Sequence, residues 1–119
     1  YNGEVMSFDT NELNLMFGDD PEIFEEILVD FENSKDKMIE EISSAIESKN
    51  AEALEISAHT LKGVLATFCS VKGKQLAFEL EQKGREKNFD DTSEKLELLK
   101  SDVDELINSL KSHEFSKAA

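Results

Sequence analysis

The stretch GDDPEIFEEILVDF, residues 18–31, holds both a helix start and the opening of an apolar stripe. Asp20 can accept the backbone N–H groups that a first helical turn leaves free. Pro21 suits the first helical position, where no donor is needed, and Glu22 favours the positive end of the helix. From that start Phe24, Ile27, Leu28, Phe31, Met38, Ile42, Ala45 and Ile46 recur at three- and four-residue steps until Lys49 and Asn50 interrupt them. The spacing predicts a helix of about 27 residues, roughly 40 Å long at 1.5 Å per residue.

Outward from this helix the same period repeats. Upstream, FDTNELNLMF (residues 8–17) places Phe8, Leu13, Met16 and Phe17 at loosely helical spacing. Downstream, a third helix over about 51–68 carries Leu54, Ala58, Leu61, Leu65 and Phe68 on one face. After a break around Ser70 to Gly73, a fourth over about 73–86 turns Leu76, Ala77 and Leu80 inward and stops near Gly84. A fifth over about 91–112 shows Leu96, Leu99, Val103, Leu106 and Leu110 in the alternating three-and-four pattern of a bundle seam. No useful length alternates with period two, so no sheet is expected. The predicted fold is all-α: an antiparallel up-down four-helix bundle with the short N-terminal helix capping one end. Residues 1–119 are read as a single domain, with 1–7 and 113–119 as loosely ordered ends.

Composition narrows the function. The 27 acidic and 13 basic residues give a formal charge of −14, which repels nucleic-acid phosphates and anionic membranes. No apolar run approaches the roughly 18 residues of a spanning helix, and the N-terminus lacks a signal pattern. The single cysteine, Cys69, lies in an apolar segment and reads as a buried thiol, which suits a reducing, cytoplasmic compartment. A cytoplasmic portion of a membrane sensor kinase fits the same features.

His59 is one of two histidines. At about 100° per residue, Leu54, Leu61, Leu65 and Phe68 fall about 180° to 240° from it, whereas Glu55, Lys62, Gly63 and Ala66 lie within about 60°. The imidazole is therefore predicted to face solvent on a strip made shallow by Gly63 and Ala66. Glycine within a helix costs about 0.5–1 kcal/mol relative to alanine, and close approach by a partner accounts for that cost at Gly63. Lys62, three residues on, can bring an ammonium near whatever the ring carries. Glu55, four residues before, is a candidate acceptor for one ring nitrogen, leaving the other as nucleophile. The chemistry suggested is attack on a phosphoryl group, with Lys62 offsetting the product's charge. The sequence offers no Gly-rich phosphate loop, no ligand set for a metal and no Ser or Cys paired with histidine, so it supplies an acceptor without a nucleotide site. The missing cations, Mg²⁺ in particular, must come from a partner. His113, near the C-terminal end, is assigned no function, and the acidic runs EIFEEI and MIEEI read as solvated helix faces.

The segment AHTLKG, residues 58–63, resembles the H-x-x-K-G signature of histidine-containing phosphotransfer (HPt) domains. The opening DDPEIFEEILVDF and the later LAFELEQKGRE, similar to the family's L-E-x-x-G-R-type stretch, extend the resemblance over nearly the whole chain. It implies a phosphorelay intermediate of two-component signal transduction. His59 would accept a phosphoryl group from a receiver aspartate or a histidine kinase and pass it to a receiver aspartate. Lys62 would stand near the phosphoryl group, Gly63 would leave room for the partner, and Ala66 and Glu55 would border the docking strip. The family often orients the imidazole with a glutamine on the adjacent helix; here Glu81 aligns, with Gln82 beside it. A carboxylate there is a departure, since it would repel phosphohistidine unless turned away or protonated. Val64 and Leu65 depart from the small residues common after the signature. No cofactor is implied beyond the partner's Mg²⁺, and the chain is expected to act as a monomer, either alone or as the phosphoacceptor module of a larger hybrid kinase. The alternative is a helical adaptor bundle that binds a protein without chemistry.

Overall fold

The computed structural model describes residues 7–115 and contains five helices: α1 (Thr10–Phe17), α2 (Pro21–Glu47), α3 (Ala51–Thr67), α4 (Lys72–Arg85) and α5 (Thr92–Lys111). Among the described residues there is no strand, only an isolated bridge between Phe8 and Ser70. The N-terminus of α2 forms as the sequence predicts, with the Asp20 side chain accepting from the Ile23 N–H and Pro21 in the first turn. Asp9 and Asn50 cap α1 and α3 in the same way.

Three helices end on a residue other than glycine in the left-handed region: Lys49 (φ 55°), Cys69 (φ 58°) and Lys87 (φ 56°). Each closes a paired reverse hydrogen-bond motif. Asn50 N–H donates to the Ala45 carbonyl, Ser70 N–H to Leu65 and Asn88 N–H to Lys83, at 2.9, 3.0 and 2.9 Å. These compact exits leave only short connections, so consecutive helices turn back on one another.

α2 packs on α3 and α5, and α4 packs on α3 and α5, closing a cycle of four helices around one core. Every apolar position predicted inward on α3, α4 and α5 is buried. On α2, Ile27 and Met38 are partly buried against the core and the other six stripe residues are fully buried. On α1 the expectation needs correcting: Leu13 and Phe17 are buried, but Met16 is exposed. Eight residues give α1 barely two turns, and only one edge of it reaches the core. That edge joins an aromatic cluster in which Phe24 meets Phe17, Phe68 and Phe115, and Phe31 stacks on Phe68 at 5.3 Å.

Of the expected loose ends, residues 1–6 and 116–119 lie outside the described residues. Of the parts inside, Ser7 is buried, His113 and Phe115 are half-buried and Glu114 is exposed. Ser7 accepts from the Val71 N–H at 3.2 Å. The His113 ring sits edge-on to Phe8 and Phe115, and its Nε2 is 2.9 Å from Asn14 Oδ1. His113 thus serves packing at the α1 end.

Glycines set the spacing between α4 and its neighbours. A Cβ on Gly84 would stand 2.6 Å from the Glu55 nitrogen and 2.8 Å from the Ala51 oxygen, both backbone atoms of α3. α4 ends at Arg85, so it stops beside Gly84 as the sequence predicts, and Gly84 is in addition a close-approach point in its last turn. At the other end of α4, Val71 gives no side-chain cap, but Ser70 Oγ accepts from the Lys74 N–H at 3.3 Å, and a Cβ on Gly73 would stand 2.7 Å from Asp102 Oδ2 of α5. Asp102 is buried and its Oδ2 has no hydrogen-bond partner. Burial pushes its carboxyl up, against the opposing pull of Lys72 and with the help of the Glu105 charge. With the folded value raised, the group favours the folded state at low pH, and that contribution is lost as pH rises through the raised value. Asp102→Asn keeps the side-chain volume and removes the buried charge. We expect it to gain about 1 kcal/mol at pH 7 and the gain to vanish in acid, measured as denaturant midpoints at both pH values.

Candidate functional site

α3 presents His59 to solvent, with 65% of its side chain exposed, as its angular position predicts. Gly63 and Ala66 are exposed beside it, and a Cβ on Gly63 would meet nothing within 4 Å. Packing within the chain therefore does not demand glycine there. Val64 is partly buried against the core and Leu65 fully buried, so neither intrudes on the strip.

The ring is held from α4. Its Nδ1 lies 3.1 Å from Glu81 Oε2, and only 5% of the Glu81 side chain is exposed. Lys62 places its Nζ 2.7 Å from Glu81 Oε1 and 5.3 Å from the centre of the Phe78 ring. Arg85, one turn beyond Glu81 on α4, brings Nη2 to 3.2 Å from the same Oε2 that holds the imidazole. Its Nε lies 3.1 Å from Glu55 Oε2 on α3. A buried carboxylate thus joins one imidazole and two cations, with Glu55 anchoring the outer cation.

Burial pushes the Glu81 carboxyl up, but the Lys62 ion pair and the His59 contact outweigh it and hold the group below the usual carboxylate range. Glu81 is therefore ionised at neutral pH. An ionised carboxylate only accepts hydrogen bonds, so Nδ1 carries the proton it donates. In a neutral ring this leaves the lone pair on Nε2, which has no hydrogen-bond partner among the described residues.

Two expectations change here. The nitrogen contact proposed for Glu55 belongs to Glu81, because Glu55 is engaged by Arg85. The carboxylate is neither turned away nor protonated; it stays ionised because Lys62 and His59 hold it below the usual carboxylate range. Gln82 is half-buried, about 100° further round α4, with no hydrogen bond to the ring. Arg85 was not singled out from sequence, although its spacing four residues after Glu81 is that of a helical ion pair. Among the described residues, no group of three or more His, Cys, Asp or Glu side chains could hold a metal ion, and no helix is long and apolar enough to cross a membrane.

The arrangement provides an outward nucleophilic nitrogen, a fixed ring and an adjacent ammonium, all on one helical face. Comparison with known proteins places it. The family model of the Hpt domain matches residues 26–109, which include α3, α4 and most of α2 and α5. The crystal structure of histidine-containing phosphotransfer protein B (HptB) from Pseudomonas aeruginosa PAO1 is similar in fold, with a TM-score of 0.83 over 91% of this chain and 94% of that one at 18% identity. No curated protein matches the sequence. The family match over more than half of the sequence, on this helical fold, shows that the chain belongs to the Hpt domain family, the phosphorelay intermediates of two-component signal transduction.

Proposed function

We propose that His59 is the phosphoacceptor, and that the helical cycle is an antiparallel up-down bundle capped by α1 that acts as a single domain and a monomer. The observation that carries this reading is the exposed imidazole whose Nδ1 is committed to a buried carboxylate. The Nε2 lone pair attacks the phosphorus of a receiver aspartyl phosphate, or of a kinase-bound phosphoryl donor. The N–P bond forms as the P–O bond breaks, and the electron pair returns to the leaving oxygen. Donation to the next receiver runs in reverse, with the pair returning to Nε2. The receiver supplies Mg²⁺, and the bundle acts as a carrier with no nucleotide site of its own. Lys62, 26% exposed and already beside the ring, swings from Glu81 toward the incoming phosphoryl group. The exposed Lys72 and Lys74 add positive charge at the far end of α4 against the acidic pocket of a receiver. A cytoplasmic setting follows from these partners.

Gly63 and Ala66 leave the surface beside the ring low enough for a receiver loop to reach Nε2. Gly63→Gln puts a long side chain there without any clash inside the domain. It should raise stability by up to about 1 kcal/mol, since glycine is the poorer helix former. Transfer should slow by roughly tenfold or more, because displacing the reacting atoms by about 1 Å is that expensive. Thermal melts and single-turnover transfer check both halves, and wild-type kinetics would remove the close-approach role of Gly63. The reading as a whole is tested by incubation with phosphorylated receiver domains and Mg²⁺. It requires a base-stable, acid-labile phosphate on the chain.

A further inference from the structure

A carboxylate hydrogen-bonded to a nucleophilic histidine has two opposed effects. It fixes the tautomer and orients the ring, but its negative charge also favours the imidazolium, which has no lone pair to attack with. The charges at this site address that conflict. His59 Nδ1 and Arg85 Nη2 share Glu81 Oε2 at 3.1 and 3.2 Å, while Lys62 occupies Oε1 at 2.7 Å. Lys62 is also the cation placed to follow the phosphoryl group, so its hold on Glu81 is the one that transfer loosens. Arg85 is differently placed. Glu55 Oε2 holds its Nε at 3.1 Å, and the guanidinium bridges the two helices beside the close approach at which Gly84 meets Glu55 and Ala51.

We propose that Arg85 is a positioning residue for phosphoryl transfer, a second cation that stays on Glu81 so that the carboxylate orients the imidazole without drawing a further proton onto it. This rests on the reading of His59 as the phosphoacceptor. When the phosphoryl group arrives with its added negative charge, Lys62 turns toward it and Arg85 alone keeps the buried carboxylate compensated. The Nδ1–H hydrogen bond to Glu81 then persists in the phosphorylated state, and the same geometry serves the return step.

The test compares wild type with Arg85→Met and Arg85→Lys. Methionine keeps an apolar stem on a half-exposed site, and lysine restores the charge without the fork that spans Glu81 and Glu55. The charged groups around the ring are Glu55 and Lys62 on α3 and Glu81 and Arg85 on α4. Lys37, Glu40 and Glu41 of α2 line the groove that also holds Ile56, one turn from the ring, and are common to all three proteins. Two readouts are taken at fixed ionic strength: the ring titration of His59 by NMR, and the pH profile of phosphorylation by a phosphorylated receiver. Arg85→Met should move the His59 midpoint up by about half a pH unit, a shift kept modest by the exposure of the guanidinium. Its transfer rate should fall about threefold below the midpoint and rejoin wild type at high pH. Arg85→Lys should stay close to wild type in both. An unchanged midpoint, or a rate loss equal at every pH, would overturn the proposal, the second result marking Arg85 as a docking contact. Failure of the wild type to accept phosphate would sink the phosphoacceptor reading instead, and the titration alone would then decide whether Arg85 tunes the ring.

Discussion

His59→Gln is expected to abolish phosphorylation by every donor while leaving the folded state within about 1 kcal/mol of wild type. The loss is total because no other side chain among the described residues combines an unpaired nucleophilic nitrogen with an adjacent cation. His113, the other histidine, has Nε2 close to Asn14 Oδ1 and its ring between Phe8 and Phe115. The stability is spared because the His59 side chain is 65% exposed and leaves no cavity when shortened. Glutamine also carries an amide N–H₂ that can donate to Glu81, so the buried carboxylate is not orphaned. Transfer assays beside thermal melts check both parts. Residual acid-labile label would place the acceptor elsewhere, and a large drop in melting temperature would contradict the exposed position of the ring.

Gly84→Ala should be the most damaging small substitution on the site's supporting face. Its new Cβ would meet backbone atoms of α3 at 2.6, 2.8 and 2.9 Å, and backbone cannot rotate aside as a side chain can. Overpacking of this kind costs about 1–3 kcal/mol, against which the better helix propensity of alanine returns about 0.5–1 kcal/mol. A net loss of about 1–2 kcal/mol should lower the melting temperature by several degrees. Function suffers as well, because the strain is relieved by moving α4 away from α3. Glu81 and Arg85 ride on α4, while His59, Lys62 and Glu55 ride on α3, so separation lengthens every cross-helix contact of the site. Transfer should slow in Gly84→Ala even below its melting transition. A variant with wild-type stability and wild-type transfer would show that this crossing has slack that the backbone distances deny.

The contrast between the two glycines explains how much could be read in advance. Gly63 was legible because a single helix wheel places it beside His59, and angular position within one helix needs no tertiary information. Gly84 was legible only as a mark of where α4 ends, because its close contact is with the backbone of another helix, which no periodicity within α4 records. The core stripes of α2 to α5 were legible for the reason Gly63 was. The ends of α2 to α5 were legible to within one residue, although Lys49, Cys69 and Lys87 occupy left-handed positions where glycine is the usual signal. Glu81 was located by alignment with the family pattern, but its charge state depends on Lys62 and His59 meeting it across the helix interface. Asp102 interrupts the apolar pattern of α5, yet it is buried, because α5 sets it against Gly73 at the start of α4, which no period within α5 records.

The central claim is chemical: phosphate attaches to Nε2 of His59 while Nδ1 remains protonated against Glu81. The most direct measurement is NMR of the ¹⁵N-labelled, phosphorylated protein, in which ring-nitrogen shifts and coupling to phosphorus identify the bonded atom. We expect a single phosphohistidine, bonded at Nε2, with a proton on Nδ1. Phosphorus on Nδ1, or on a residue other than His59, would contradict it.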